Sequence, residues 1–406
     1  DTGQFQLRLR AADGTRIETT EEIAQQALAV IGDAAGSDNV AISLGYIGLI
    51  GSSYPINTIF LWMRGPEEAV LRVALKRGSG VSVEQLKHRL REELPRRLRE
   101  WLIAKLRGEG LPSEEAAARA QALRFSFEPA DIVNEVMSFG SPTPIEIAVS
   151  GSKLADNRAF AAKLREQLAN IPSLRDLQFV QPFEYPSIEV DVDRQRAGLS
   201  GVTARDVSRS LVAATSSSRF VVPIFWTDAN SGIGYKVQVE IPPFQMDSSD
   251  AIGQVPIRGQ TRKDLLLRDV ASIRSATMPG EYDRYNMKRM VSLTANIEGE
   301  DLGGVAARVA AALRRAGEPP RGVAVDVRGQ VVPLRQMLGG LALGLALAVV
   351  VILLLLTAYF QSPRLALVAV SATPAVLAGV VVLLWATGTT LNLQSFMGAI
   401  MAVGVA

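Results

Sequence analysis

The 406-residue chain contains no cysteine and a single histidine, His88. The first absence removes disulfides, thiol nucleophiles and thiolate metal sites. The second removes histidine-based triads and multi-histidine metal sites. His88 lies among charged residues and reads as a solvated surface side chain. Charge imbalance is also missing: 43 Lys and Arg face 41 Asp and Glu, a net charge of +2, so bulk charge gives no support for nucleic acid as a partner. No GxxxxGK phosphate loop occurs, and no nucleophile and base stand in a defensible pair. The sequence therefore reads as that of a non-enzyme without a cofactor. Charge is absent altogether from Gln336 to Pro363 and again from Leu365 to Ala406, with Arg364 alone between.

Those uncharged stretches predict a membrane region over 333–406. A transmembrane helix needs about 20 apolar residues, and Met337 to Phe360 supplies them. A second span is predicted from Leu365 to Trp385. A third apolar run opens at Ser395 and reaches Ala406 twelve residues later, too short to span alone. The expectation is a piece of a larger protein. Its start is expected upstream of Asp1, because FQLRLR begins in strand-like sequence with no signal-peptide pattern. Arg364, in the short QSPR link, favours a cytoplasmic link and an external soluble part.

Residues 1–332 alternate between strand and helix periodicities, and the alternation repeats. FQLRLRA (5–11) reads as a half-buried strand, TTEEIAQQALAVIG (19–32) as a helix capped by Thr19 or Thr20 and stopped by Gly32, and NVAISLGY (39–46) as a strand. Extended segments follow at 58–64 and 70–76, then a long charged helix from Ser82 to Arg107 containing Pro95, then a strand at 122–129. The theme returns with a strand at 145–151, a helix at 154–171, a strand at 174–180, and later a strand, helix and strand at 290–297, 302–317 and 323–329. This is an α+β pattern of repeated ferredoxin-like β-α-β subdomains followed by transmembrane α-helices.

Four features invite chemistry. Glu189, Asp191 and Asp193 share one face of an extended segment but lack the loop spacing of a calcium site. Met287 and Met290 could offer thioethers to a soft metal, although three residues apart on a strand they face opposite ways. The basic amphipathic run 86–107 could touch phospholipid or pack as an ordinary domain helix. The segment GYIGLIGSSYPIN (45–57) holds three glycines among apolar and aromatic residues. It reads either as a mobile lining for a greasy cavity or as a loop buried against its own domain.

Several segments, in this order and at these separations, resemble the carboxy-terminal half of the permease of bacterial resistance-nodulation-division (RND) exporters. They are DTGQFQLRLRAADGTRIETT at the start, SPTPIEIAVSG (141–151), IEVDVDRQRAGLSGVTARDVSRSL (188–211), PGEYDRYNMKRMVSLTANIEG (279–299), and the membrane pattern from AYFQSPRLALVAVSATPAVLAG to the end. The resemblance divides the chain into a first porter subdomain (1–140), a second porter subdomain in two parts (141–187 and 279–332), a docking subdomain (188–278) and the membrane region (333–406).

The resemblance implies a homotrimeric, proton-driven antiporter of the inner membrane. Its porter domains would face the periplasm, joined by a periplasmic adaptor protein to an outer-membrane channel protein. Small hydrophobic or amphiphilic substrates, of the multidrug type, are the implied cargo. By position the segment 45–57 matches the family's switch loop, which makes Tyr46, Ile47, Gly48, Leu49, Ile50, Gly51 and Tyr54 the candidate substrate-path residues. Apolar side chains on a glycine-hinged segment can repack around varied ligands. The family's proton-relay groups lie outside this sequence. Two alternatives stand beside this reading: an RND metal-ion exporter, set back by scattered methionines and scarce histidine and cysteine, and a membrane-tethered periplasmic binding or sensory module without transport.

Overall fold

The computed structural model describes residues 3–48, 63–128, 130, 138, 140–242, 245–246, 248–258, 265–388 and 393–405. The chain divides into two units, one formed by Asp1–Gln181 with Glu281–Ala406 and the other by Pro182–Gly280.

In the first unit, strand β1 (Gln4–Arg10) leads into helix α1 (Ile17–Ala35), then strands β2 (Val40–Ile47) and β3 (Glu68–Leu75), helices α2 (Val83–Gly108) and α3 (Ser113–Gln121), and strand β4 (Arg124–Glu128). The strands form an antiparallel sheet in the order β2-β3-β1-β4. Phe5, Leu7 and Leu9 point from β1 into a core shared with α1 and α2. Helix α2 presents leucine at every fourth position from Leu86 to Leu106, and all six are buried in that core. Spacing of four keeps them on one helix face. The basic run thus packs as a domain helix, with Ser82 capping its start and Pro95 inside it.

Helix α1 differs from the expectation at both ends. Its N-cap is Arg16 rather than Thr19 or Thr20, and it runs through Gly32 to stop at Gly36, whose φ of 79° suits a residue without Cβ. Thr20 instead donates its hydroxyl to the Arg16 carbonyl.

The same strand order recurs further along the chain. Strand β5 (Ile145–Gly151), helix α4 (Leu154–Ala169) and strand β6 (Leu174–Phe179) come first. After the second unit, β13 (Asp283–Tyr285), β14 (Lys288–Ile297), α9 (Leu302–Ala316) and β15 (Val323–Gly329) complete the sheet. Here β15 pairs β5, β5 pairs β14 and β14 pairs β6, all antiparallel. The succession of strands matches β4-β1-β3-β2 of the first sheet.

The second unit holds β7 (Tyr185–Val192), α5 (Arg194–Leu199), α6 (Ala204–Ser216), β8 (Ile224–Thr227), β9 (Gly234–Val237), α7 (Ser249–Gly253), β10 (Pro256–Ile257), β11 (Leu265–Leu266), α8 (Leu267–Val270) and β12 (Ala271–Met278). It spans Pro182–Gly280, and Tyr185 near its start pairs with Met278 near its end in the β7–β12 ladder. Val207, Ile257, Leu267 and Val270 lie in its small core. Thr203 and Asp206 form a capping box that starts α6.

From β15 the chain passes through Gln330 directly into α10 (Val331–Phe360). Helices α11 (Pro363–Val370) and α12 (Thr373–Ala386) meet at Ser371 and Ala372, and α13 (Leu393–Val405) follows. Val331–Phe360 and Pro363–Ala386 are long and apolar enough to cross a membrane, with mean hydropathies of 3.0 and 2.5. Leu343, Leu347, Leu354 and Tyr359 on α10 are exposed, as lipid-facing side chains would be.

Truncating the α2 stripe should be costly. Leu94→Ala removes a fully buried side chain and is expected to cost about 2–5 kcal/mol. Leu199→Ala removes one that is 88% exposed and should change stability by less than about 0.5 kcal/mol. Melting of the detergent-solubilised protein followed by circular dichroism compares the two.

Candidate functional site

The candidate substrate-path residues separate into two groups. Tyr46 and Ile47 are the last residues of β2, half-buried and paired with Val70 and Ala69 of β3. The expected strand over 39–46 thus extends one residue further, to Ile47, and the ladder with β3 holds both residues in it. Gly48 follows with a φ of 68°, and its N–H donates to the Glu68 carbonyl at 2.9 Å. A Cβ there would come within 2.6 Å of Ile17 Cδ1. Leu49, Ile50, Gly51 and Tyr54 lie outside the described residues.

Where the chain is next described, it is bound into a network of charges. The even residues of β1, Gln6, Arg8 and Arg10, face away from the apolar core, yet Gln6 and Arg8 are as buried as their odd neighbours. Arg8 Nε donates to Glu128 Oε1 at 2.6 Å and its Nη1 to Glu68 Oε2 at 3.4 Å. Arg10 Nε donates to Glu68 Oε1 at 2.7 Å. Gln6 completes the set, donating to Glu128 and accepting from Arg72, both at 2.8 Å. Burial alone would raise the Glu68 carboxyl, but Arg10, Arg8 and Arg64 outweigh it and hold Glu68 below the ordinary carboxylate value.

That charged face is where the first sheet meets the second within the same unit. Arg10 donates to the carbonyls of Phe179 and Val180 at 3.2 and 2.9 Å. Asn296 donates to Ser126 Oγ at 3.0 Å and to Asp176 at 2.8 Å, and Asp176 also accepts from the Phe127 N–H. Arg64 and Glu281 are in ion-pair contact, and Gln181 donates to Asp283 at 2.5 Å. Burial pushes Glu281 above its ordinary value, against Arg64 and with help from Asp283. Burial likewise raises Glu67, beside Glu68 and Asp13. The two sheets thus share a polar, hydrogen-bonded seam that borders the start of the 45–57 segment through Glu68.

The other predicted features are structural. Glu189 pairs with Arg274 across the β7–β12 ladder at 2.9 Å, and Asp193 caps α5. Asn286 and Met287 form the two-residue β13–β14 turn with positive φ at both, and Met287 is 91% exposed. Met290 Sδ lies 3.3 Å from Arg328 Nη1. His88 is exposed and contacts Glu298 at 3.1 Å. Among the described residues, no three of His, Asp or Glu converge as a metal site. The seam escaped sequence reading because its partners lie 60 and 120 residues apart; the one local signal was arginine at alternate positions of β1.

Comparison with known proteins bears on this arrangement. The AcrB/AcrD/AcrF family matches residues 111–406. The chain is 26% identical over 273 residues to the cation efflux system protein CusA of Escherichia coli K12, covering 67% of this chain and 26% of that protein. It is 26% identical over 278 residues to the nickel and cobalt resistance protein CnrA of Cupriavidus metallidurans, covering 67% and 25%. The cobalt-zinc-cadmium resistance protein CzcA of the same organism is 25% identical over 281 residues. The chain therefore spans about a quarter of the length of these relatives. A crystal structure of a heavy metal efflux pump superposes with a TM-score of 0.77 at 22% identity, covering 99% of this chain and 38% of that one. These relatives back the metal-ion alternative better than export of hydrophobic or amphiphilic compounds.

Two substitutions probe the site. Glu68→Gln leaves Arg8 and Arg10 short of a buried counter-charge and should cost about 3–5 kcal/mol at neutral pH. Because the folded Glu68 value is lowered, its contribution is present above the ordinary value of 4.5 and is lost as pH falls through the folded value. Melts of parent and E68Q should converge on acidification below that point. Gly48→Ala should cost about 1–3 kcal/mol through strained φ, read by the same melts.

Proposed function

Because this chain belongs to the AcrB/AcrD/AcrF family of RND permeases, we infer that the whole protein is an efflux permease of a bacterial inner membrane that exports heavy-metal cations. The observation that carries this reading is the set of aligned relatives, named for cation efflux and for resistance to nickel, cobalt, zinc and cadmium. Transport, not catalysis, is the activity. The two sheets are ferredoxin-like porter repeats facing the periplasm, and the second unit is the docking subdomain. The protein works as a proton-driven homotrimer with a periplasmic adaptor and an outer-membrane channel. The exposed apolar hairpin β8–β9, with Phe225, Trp226 and Tyr235 each at least half exposed, supports an assembled state that covers it.

Oxygen donors fit the cargo better than thioethers. Met287 sits on an exposed turn and Met290 is engaged by Arg328. Glu67 and Glu281 place carboxylate oxygens beside the seam, Glu281 in contact with Arg64. Carboxylates suit hard and borderline divalent cations more than Cu(I).

The test is tolerance of an efflux-deficient bacterium expressing the full-length protein. Growth should extend to several-fold higher cobalt, nickel, zinc or cadmium, and Glu281→Gln should reduce the gain at equal expression. Protection against amphiphilic dyes with none against metals would sink the cation reading.

A further inference from the structure

Within the first unit, on the Asp176 side of the polar seam, a cleft of about 390 Å³ opens between α2, the start of β4, the start of β6 and the residue that follows β14. Its walls carry four arginines, Arg91, Arg99, Arg124 and Arg175, with Pro95 and Phe125 among its apolar lining. Three carboxylates also line it, Glu92, Asp176 and Glu298, and the last two are already engaged. Glu298 accepts from Arg91 at 3.1 Å, from Arg175 at 2.6 Å, and contacts His88 at 3.1 Å. Asp176 is taken by Arg91, Asn296 and the Phe127 N–H. Glu92 lies 4.0 Å from His88.

Arg99 and Arg124 are left over. Among the described residues neither has a carboxylate in ion-pair reach. Arg99 Nε is buried and makes no hydrogen bond. Arg124 donates only to the carbonyls of Gln121 and Leu123. Burial lowers the Arg124 value, and repulsion from Arg99, Arg165 and Arg10 lowers it further. Two guanidiniums are thus held in one cleft at mutual cost, with a buried donor unspent.

We propose that this cleft binds a small oxyanion, a phosphate or carboxylate group, between Arg99 and Arg124. Guanidinium forks match the geometry of both groups and donate in pairs. An anion would satisfy the Arg99 Nε donor and relieve the repulsion between the two arginines. The volume accommodates a small ligand, and Pro95 with Phe125 would accept an apolar portion. The anion is chemically distinct from a cation cargo, so the proposal does not depend on which substrate the whole protein exports.

Isothermal titration of the purified full-length protein in detergent, at constant ionic strength and with chloride as the control anion, tests it. Inorganic phosphate, succinate and a short-chain phosphatidylglycerol are titrated separately, which distinguishes free phosphate, carboxylate and lipid headgroup as the source. Saturable binding of at least one is expected, weakened roughly tenfold or more in Arg99→Gln and in Arg124→Gln. Arg99→Gln should melt no lower than the parent in anion-free buffer, since it removes a charge without a partner. Absence of saturable binding by all three overturns the proposal, as does binding unchanged in both variants. A lower melting temperature for R99Q would also overturn it, by showing that the protein itself satisfies that guanidinium.

Discussion

A guanidinium buried inside a β-sheet constrains nearly everything around it. Arg8 is 5% exposed, and a charge so placed is tolerable only with counter-charges and a full set of acceptors. Glu128 on β4 and Glu68 on β3 supply them from the two strands that flank β1. Those carboxylates are buried in turn and require Arg10 and Gln6. One face of the first sheet is therefore committed to ionic pairing, while the opposite face packs Phe5, Leu7 and Leu9 against helices. A one-residue slip of β1 would bring the arginines into the apolar core, so charge and hydrophobicity fix the same register.

This commitment also decides how the two sheets meet. An ionic face cannot be covered by an apolar one without stranding its donors, and the second sheet answers with the Phe179 and Val180 carbonyls, Asp176 and Asn296. Such contacts exchange for water at modest net cost, because each lost protein bond is replaced by hydration. A hydrophobic seam of equal area would hold more rigidly.

Much of the architecture was legible because hydrophobic period is a local property. The strand–helix alternation, the Ser82 start of α2 and the two long apolar helices follow from residues close together in sequence. What was not legible depends on distance. FQLRLRA reads as half-buried, since nothing nearby tells that a second sheet will cover its polar face. Gly32 reads as a helix stop, but a glycine inside a helix costs only about 1 kcal/mol, and α1 continues to Gly36, where positive φ is needed. Ile47 reads as loop because Gly48 follows it, whereas pairing with β3 keeps it in strand beside Tyr46. The expectation of hydrophobic cargo rests on the family resemblance and on the scarcity of histidine and cysteine. Carboxylates spread among strands look like ordinary surface charges until folding buries Glu67 and Glu68 and half-buries Glu281.

The place of the second unit follows from the same sheet logic. In the second sheet β6 and β14 are adjacent and antiparallel, so the end of one lies beside the start of the other, as in a hairpin. A hairpin connection tolerates a long insertion because its ends are already close, and the entropy of closing a loop grows slowly with length. The inserted unit closes its own neck: the Gly280 N–H donates to the Pro182 carbonyl at 3.0 Å, and a Cβ on Gly280 would lie 2.9 Å from Pro182 Cγ. Just inside the first unit, Gln181 and Asp283 are joined side chain to side chain, and Gln181 also accepts from the Ser292 N–H. The two chain crossings are thereby clamped on both sides of the boundary. Within the first unit, β6 carries Asp176 and Phe179, which hold the polar seam to the first sheet.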